Sequence, residues 1–284
     1  MKGDKHRMKI GIMTGFHGPE VVEKFRKMKE MDIHYCQFSS WNPSLWTDEN
    51  AKMIVDSCRE NDVTVDVFWC GWGGPRIWNF YEGQETLGIV PVTYRWQRMQ
   101  DLMKGAEFAC KLGVTKVATH MGYIPENPMS GEYVSFVTAV KALAAHYKKL
   151  GRELLFETGQ ETPVALLRVI EDVGGSSLGI NLDPANLIMY GKGNPVDALD
   201  VFGPYVRSLH AKDGLYPTDG KSLGKEVPVG QGKVNFPKLL QGLKDLGFNG
   251  VLSIEREISG EQQIIDIQNT KAYLEKLIAE LENN

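Results

Sequence analysis

Four cysteines in 284 residues, Cys36, Cys58, Cys70 and Cys110, form no C-x-x-C pair, which excludes a locally written thiolate zinc site or disulfide framework. They read as reduced core thiols. No apolar run approaches the roughly 20 residues that span a bilayer, and the start, MKGDKHRMK, carries no signal-peptide core. A cytoplasmic protein without a membrane partner is expected. Positive charge is also in short supply: 32 Lys and Arg face 36 Asp and Glu, a formal charge of −4, which leaves no field to gather a phosphate backbone. Nucleic acid is therefore excluded as a main partner. No Pro-, Gly- or Ser-rich linker divides the chain, so residues 1–284 are expected to form one domain.

Apolar residues make up 42% of the chain and charged ones 24%, the balance of a folded globular protein and not of a disordered one. Short β-branched runs recur, each followed by a stretch of helical spacing. The runs are Lys9–Gly15, Ile33–Ser39, Thr64–Cys70, Thr115–Gly122, Glu153–Thr158, Leu178–Asp183, Val206–Ala211 and Gly250–Arg256. Gly113, Gly151, Gly174 and Gly247 are placed as helix stops. Eight βα units predict an α/β protein, a closed (β/α)8 TIM barrel, in which every strand is paired on both sides and covered by a helix. An open doubly wound sheet is disfavoured, because the first junction, TGFHGPE, lacks the phosphate-binding G-x-G-x-x-G.

Two connections exceed the usual few residues. Gly71–Pro91 carries Trp72, Arg76, Trp78, Phe80 and Tyr81 and reads as an active-site lid whose aromatic faces suit a sugar ring, against plain packing over the barrel mouth. Lys212–Asn235 holds several lysines and a Gly230-Gln231-Gly232 turn, a position where barrels often hold phosphate, against a merely solvated loop.

The last four strands end on Glu157 in LLFETGQE, Asp183 in INLDPAN, His210 in SLHAKD and Glu255 in LSIERE. Chemistry in a parallel barrel collects at this mouth, and side chains on consecutive strands about 4.8 Å apart can converge on one ion. Asp183 alone could cap the next helix ahead of Pro184, and His210 alone could be a hydrogen-bonded core residue. Together they are a ligand set, since three carboxylates at one mouth repel one another unless a divalent cation offsets their charge. The oxygen-rich set predicts one divalent metal ion, Mn2+ first, with Mg2+, Co2+ and Zn2+ as alternatives.

These motifs resemble the sugar phosphate isomerase/epimerase family, with its xylose-isomerase-like barrel and D-tagatose 3-epimerase-like enzymes, over nearly the whole chain. The resemblance implies Glu157, Asp183, His210 and Glu255 as metal ligands, Glu157 and Glu255 as an acid/base pair, a small sugar or sugar derivative as partner, and a homo-oligomer. The GQGKVNFPKLL stretch also fits the family, in a structural part. One departure stands out: ketose 3-epimerases of this kind place a substrate-binding histidine three residues after the metal aspartate, where this chain has Asn186. Endonuclease-IV-like relatives need a histidine-rich trinuclear site, and six histidines in an acidic chain do not supply one.

The reaction expected is isomerisation or epimerisation of a sugar, keto-sugar or sugar phosphate by proton abstraction next to a carbonyl, through a metal-stabilised enediolate. The alternative is a lyase releasing an aglycone from a 3-keto-glycoside by β-elimination, and a remote one is a carbohydrate-binding barrel without chemistry. His120, ending the fourth strand in VATHMGY, is assigned to catalysis or substrate binding. His17, Trp69, Glu161, Asn186 and Lys212 are further substrate-binding candidates, while His6, His34 and His146 are assigned no chemistry.

Overall fold

A computed structural model of the chain describes residues 7–283; His6 lies outside them. Eight parallel strands close a barrel: β1 Lys9–Gly15, β2 Tyr35–Ser40, β3 Thr64–Cys70, β4 Lys116–Thr119, β5 Glu153–Glu157, β6 Leu178–Leu182, β7 Val206–Ala211 and β10 Val251–Ile254. Closure is direct, because β1 pairs with β2 on one side and with β10 on the other. The two remaining strands, β8 Asp213–Gly214 and β9 Glu226–Val227, form an antiparallel ribbon outside the barrel. The stretch after the seventh barrel strand is thus a folded ribbon where sequence spacing predicts only a long loop.

Helices α1 Val21–Glu30, α2 Asp48–Asn61, α4 Val92–Leu112, α5 Gly131–Lys149, α6 Pro163–Val173, α9 Phe236–Asp245 and α10 Glu261–Glu282 form the outer ring. Their starts follow local chemistry. The hydroxyls of Thr47, Ser130 and Thr162 and the amide oxygen of Asn235 each accept a bond from a first-turn backbone N–H, two of them just ahead of a proline-bearing turn. The four glycines expected as stops all follow helix ends. In the sixth unit, where helical spacing predicts a helix over 196–202, α8 spans Ala198–Phe202, and a further short helix, α7 Pro184–Met189, precedes it. Among the described residues no helix is long and apolar enough to cross a membrane.

The main core lies between barrel and helices, built on residues such as Phe38, Phe68, Phe108 and Phe136. A smaller apolar cluster of Val67, Trp69, Trp72, Ala118 and Leu155 includes inward-facing strand positions. The rest of the interior is polar, with Gln37 of β2 reaching across to Asn181 and Ser208. Gln37, Asn181, Ser208 and Ser253 are all buried there. Strand alternation turns residues i and i+2 to the same face, so Leu155, Asn181, Ser208 and Ser253 share a face with Glu157, Asp183, His210 and Glu255.

Candidate metal centre

Glu157, Asp183, His210 and Glu255 each offer one ligand atom, and these atoms lie within 4.8 Å of one another. His210 Nδ1 stands at the middle, 3.4 Å from Glu157 Oε1, 3.6 Å from Asp183 Oδ2 and 3.1 Å from Glu255 Oε2. Asp183 performs both tasks its position allows: Oδ1 accepts the Asn186 N–H at 2.9 Å as the cap of α7, and Oδ2 faces the cluster. Asp183 Oδ2, His210 Nδ1 and Glu255 Oε2 are shielded from water, and none completes a hydrogen bond. Buried polar atoms are seldom left this way. Three carboxylates and an imidazole with their lone pairs turned to one point fit a divalent cation.

The surroundings hold each ligand in place. Gln37 donates through Nε2 to Asn181 Oδ1 at 2.7 Å and to Ser208 Oγ at 2.9 Å, which turns its oxygen to His210 Nε2 at 2.9 Å. With the proton on Nε2, Nδ1 keeps its lone pair for the cluster. Glu157 accepts the Trp69 indole N–H on Oε2, and its Oε1 lies 3.2 Å from His120 Nε2. Burial opposes ionisation of Glu157, but His120 and His210 hold its carboxyl well below the usual range. Burial likewise opposes ionisation of Glu255, yet the Lys212 ammonium at 3.3 Å and His210 bring its pKa down to about 2.

A cavity of about 380 Å³ opens over the cluster. Trp41, Trp69 and Trp78 form an aromatic wall, Trp41 and Trp69 with ring centroids 4.8 Å apart, and His120 sits 5.7 Å from Trp69 and 5.1 Å from Trp78. Asn186, Lys212, Tyr190, Gln160 and Glu257 complete much of the polar lining. Of the residues proposed from sequence, Trp69, His120, Asn186 and Lys212 line this cavity beside Glu157 and Glu255. Asp183 and His210 lie fully buried beneath it. Glu161 is buried behind the lining, its Oε1 3.3 Å from the Gly159 N–H, and burial pushes its carboxyl up to about 7. His17 is exposed and does not line the cavity; its backbone N–H bonds Glu20.

Trp41, Gln160 and Tyr190 also line the cavity and Gln37 contacts His210, although none is a candidate from sequence. Trp41 directly follows β2, so the strand-end rule that found Glu157 would have found it. Gln37, a lone amide in the strand YCQFSS, was the signal of a polar barrel interior.

Both insertions are more fixed than their lengths suggest. In residues 71–91, which include the short helix α3 Gly83–Thr86, Trp72 is fully buried while Trp78 and Tyr81 are exposed. Gly88 crosses the chain at Met121 so closely that a Cβ would stand 1.9 Å from a backbone carbon, and its φ of 66° excludes most side chains as well. In the second insertion the N–H groups of Gly230 and Gly232 both donate to Asp213 Oδ2 at 2.9 Å, and Val234 N–H to Oδ1 at 3.0 Å. A Cβ at Gly232 would stand 2.0 Å from Asp213 Oδ1. The turn considered above for phosphate therefore encloses the protein's own carboxylate.

Fold and site together define a parallel (β/α)8 barrel with an acidic, histidine-containing cluster at the C-terminal mouth of its strands. The chain belongs to the xylose isomerase-like TIM barrel family, which matches residues 25–279. It is similar to a xylose isomerase domain protein from Planctomyces limnophilus, with 31% identity, a TM-score of 0.89, and 99% of this chain and 100% of that one covered. The fold is shared with a D-tagatose 3-epimerase-like protein (21% identity, TM-score 0.74, 97% and 99% covered). It is also shared with a xylose isomerase-like barrel from Mycobacterium smegmatis solved with magnesium (17%, TM-score 0.72, 97% and 98% covered). A curated relative, the uncharacterized protein MJ1311 of Methanocaldococcus jannaschii, is 30% identical over 166 residues, 53% of this chain; the match spans about half of that protein, 54%.

Proposed function

We propose that this chain is a divalent-cation-dependent isomerase or epimerase acting on a sugar or sugar derivative. The observation that carries the reading is the convergence of Asp183 Oδ2, His210 Nδ1 and Glu255 Oε2, water-shielded and without hydrogen bonds, beside Glu157 at the floor of the cavity. The oxygen-rich donors favour Mn2+, with Mg2+ and Co2+ next and Zn2+ after them, and one barrel of the same fold was solved with magnesium. Held by these four residues, the cation would polarise a carbonyl and an adjacent hydroxyl of the substrate.

The remaining chemistry falls to side chains. A C–H bond beside a carbonyl is a weak acid, so its removal needs a base fixed against the carbon. Glu157 is positioned by Trp69 and His120, and Glu255 is kept ionised by Lys212, so both stand at the cavity in the deprotonated form that a base requires. Epimerisation needs one such group on each side of the carbon, and these two are the proposed pair. The aromatic wall would bind the apolar face of the sugar and keep water from the reacting carbon.

The test is solvent deuterium incorporation into recovered sugars, with the protein loaded with Mn2+ or stripped by chelator. Metal-dependent exchange is expected, and Glu255→Gln should lower it by about 100-fold or more. Exchange indifferent to chelator, or absent with every ketose and aldose tried, overturns the proposal. Release of an aglycone from a 3-keto-glycoside, with no epimer formed, assigns elimination instead.

A further inference from the structure

The four clustered residues are not held equally. Glu157 and His210 belong to β5 and β7, and Asp183 is fixed as the cap of α7. Glu255 lies just past β10, and the chain takes no regular structure from there to the start of α10 at Glu261. Its N–H makes the last bond to the neighbouring strand, to the Ala211 carbonyl at 3.2 Å. Beyond that bond the strand ladder no longer fixes the backbone. A carboxylate that shares an ion or faces a reacting carbon must nonetheless be placed to within about 0.5 Å.

The missing support comes from the second insertion. Glu226 in β9 reaches both residues that follow Glu255: its Oε1 accepts from the Arg256 guanidinium at 2.9 Å and from the Glu257 N–H at 3.1 Å, with Oε2 3.2 Å from the same N–H. Arg256 also donates to Asp266 of α10 at 2.7 Å, and the Gln263 amide donates to the Arg256 carbonyl at 2.8 Å. Glu226 and Arg256 are each 13% exposed, so solvent screens their pairing less than it would at the surface. β9 is in turn paired with β8, where Gly214 faces Glu226, and β8 begins directly after Lys212. Two residues ahead of Glu226, the Gly224 N–H donates to the Met189 carbonyl of α7 at 2.8 Å. The ribbon thus joins the chain after β6, β7 and β10, and each of these strands leads into a member of the cluster.

We infer that Glu226 is a positioning residue: through Arg256 and the Glu257 N–H, the ribbon of the second insertion braces the segment after β10 and sets the Glu255 carboxylate against His210. This rests on the proposed function and gives the insertion a part in it. Without Glu226, Arg256 keeps its bond to Asp266, so the fold survives while the segment carrying Glu255 loosens.

The test is titration calorimetry of the full chain with Mn2+. Glu226→Ala should weaken Mn2+ binding about tenfold or more, whereas Glu226→Gln, whose amide oxygen still accepts the Glu257 N–H, should stay within about threefold of wild type. In the metal-free protein, hydrogen exchange over residues 255–260 should quicken in the alanine variant and not in the glutamine one. With Mn2+ and D-fructose or D-tagatose, solvent deuterium exchange by the alanine variant should fall about 10- to 100-fold in kcat, with KM little changed. Glu226→Asp, which keeps the charge but falls a methylene short of the N–H, serves if the alanine variant does not fold, and should show the same losses. A lowered melting temperature with Mn2+ affinity and kcat unchanged would mark a merely structural ion pair and overturn the inference. Wild type that binds Mn2+ but exchanges neither ketose counts against the proposed function, and the affinities then decide this inference alone. Wild type that binds no Mn2+ overturns both.

Discussion

His210 can hold a cation through Nδ1 only while Nε2 carries the proton, and Gln37 Oε1 at 2.9 Å is placed to accept that proton, with the Asn181 amide nitrogen 3.1 Å from the same ring atom. The Gln37 amide spans the barrel interior to Asn181, Ser208 and His210 at once, so a substitution frees the imidazole to rotate or change tautomer. Gln37→Leu should weaken Mn2+ binding about 10- to 100-fold by titration calorimetry, with the four ligands intact. Unchanged affinity would mean that packing alone orients the ring. Glu161 is a different case, for its carboxyl is raised by burial from the ordinary 4.5 to about 7, with His120 pulling the other way. A carboxyl raised on folding stabilises when protonated; that contribution is whole below about 4.5 and lost as pH climbs through 7. At about 1.4 kcal/mol per pH unit, Glu161→Gln should be more stable than wild type at pH 8 by up to about 3 kcal/mol and nearly level at pH 4.5 in urea denaturation. The four clustered residues were legible because an ionisable residue closing an apolar strand is costly without a partner. Gln160 was not, since an amide in the run TGQET carries no such penalty until its neighbours are known.

Among the elements, the segment at 71–91 depends on one side chain of α4. The Arg98 guanidinium donates to the carbonyls of Gly88 at 2.6 Å, Pro75 at 2.7 Å and Gly73 at 3.3 Å, joining both ends of the insertion. Burial lowers its pKa to about 10, so it remains charged at neutral pH. Arg95 adds bonds to Ile89 and Val90, and Asp101 accepts the Gly73 N–H. The middle is tied as well: the Tyr123 hydroxyl donates to the Asn79 carbonyl at 2.7 Å, and Asn79 Oδ1 accepts the N–H groups of Tyr81 and Gly83. Arg98→Met should cost about 3–5 kcal/mol in denaturant unfolding, because a buried carbonyl at Gly88 and two partly buried ones at Gly73 and Pro75 lose a charged donor together. Hydrogen exchange should quicken across residues 73–90, and an unchanged exchange pattern would count against the anchoring. The existence of this insertion was legible from its length, but its anchoring was not: Arg98 lies within an ordinary helical run, and nothing local distinguishes it from a surface arginine. The ribbon of β8 and β9 was hidden for a like reason, as two-residue strands carry no periodicity.

For the whole molecule, the barrel was legible because eight repeats of one local grammar admit few closed arrangements, and the spacing of Glu157, Asp183, His210 and Glu255 followed from that repeat. Loss of the proposed cation should therefore be felt by the entire fold, since the four clustered residues at the ends of β5, β6, β7 and β10 meet at one point across half the barrel wall. A ligand bound only to the folded state stabilises by RT ln(1 + [L]/Kd), about 2.7 kcal/mol at a hundredfold excess over Kd. For a chain of this size that corresponds to a melting temperature about 5–10 °C higher with Mn2+ than with chelator. Asp183→Asn separates the ion from the scaffold, because the amide oxygen can still cap α7 while the charge facing His210 is gone. The chelated variant should melt close to the chelated wild type, or above it as carboxylate repulsion is relieved, and Mn2+ should no longer raise its melting temperature. A full metal-induced rise in that variant, or none in the wild type, would show that the cluster is not where the ion binds.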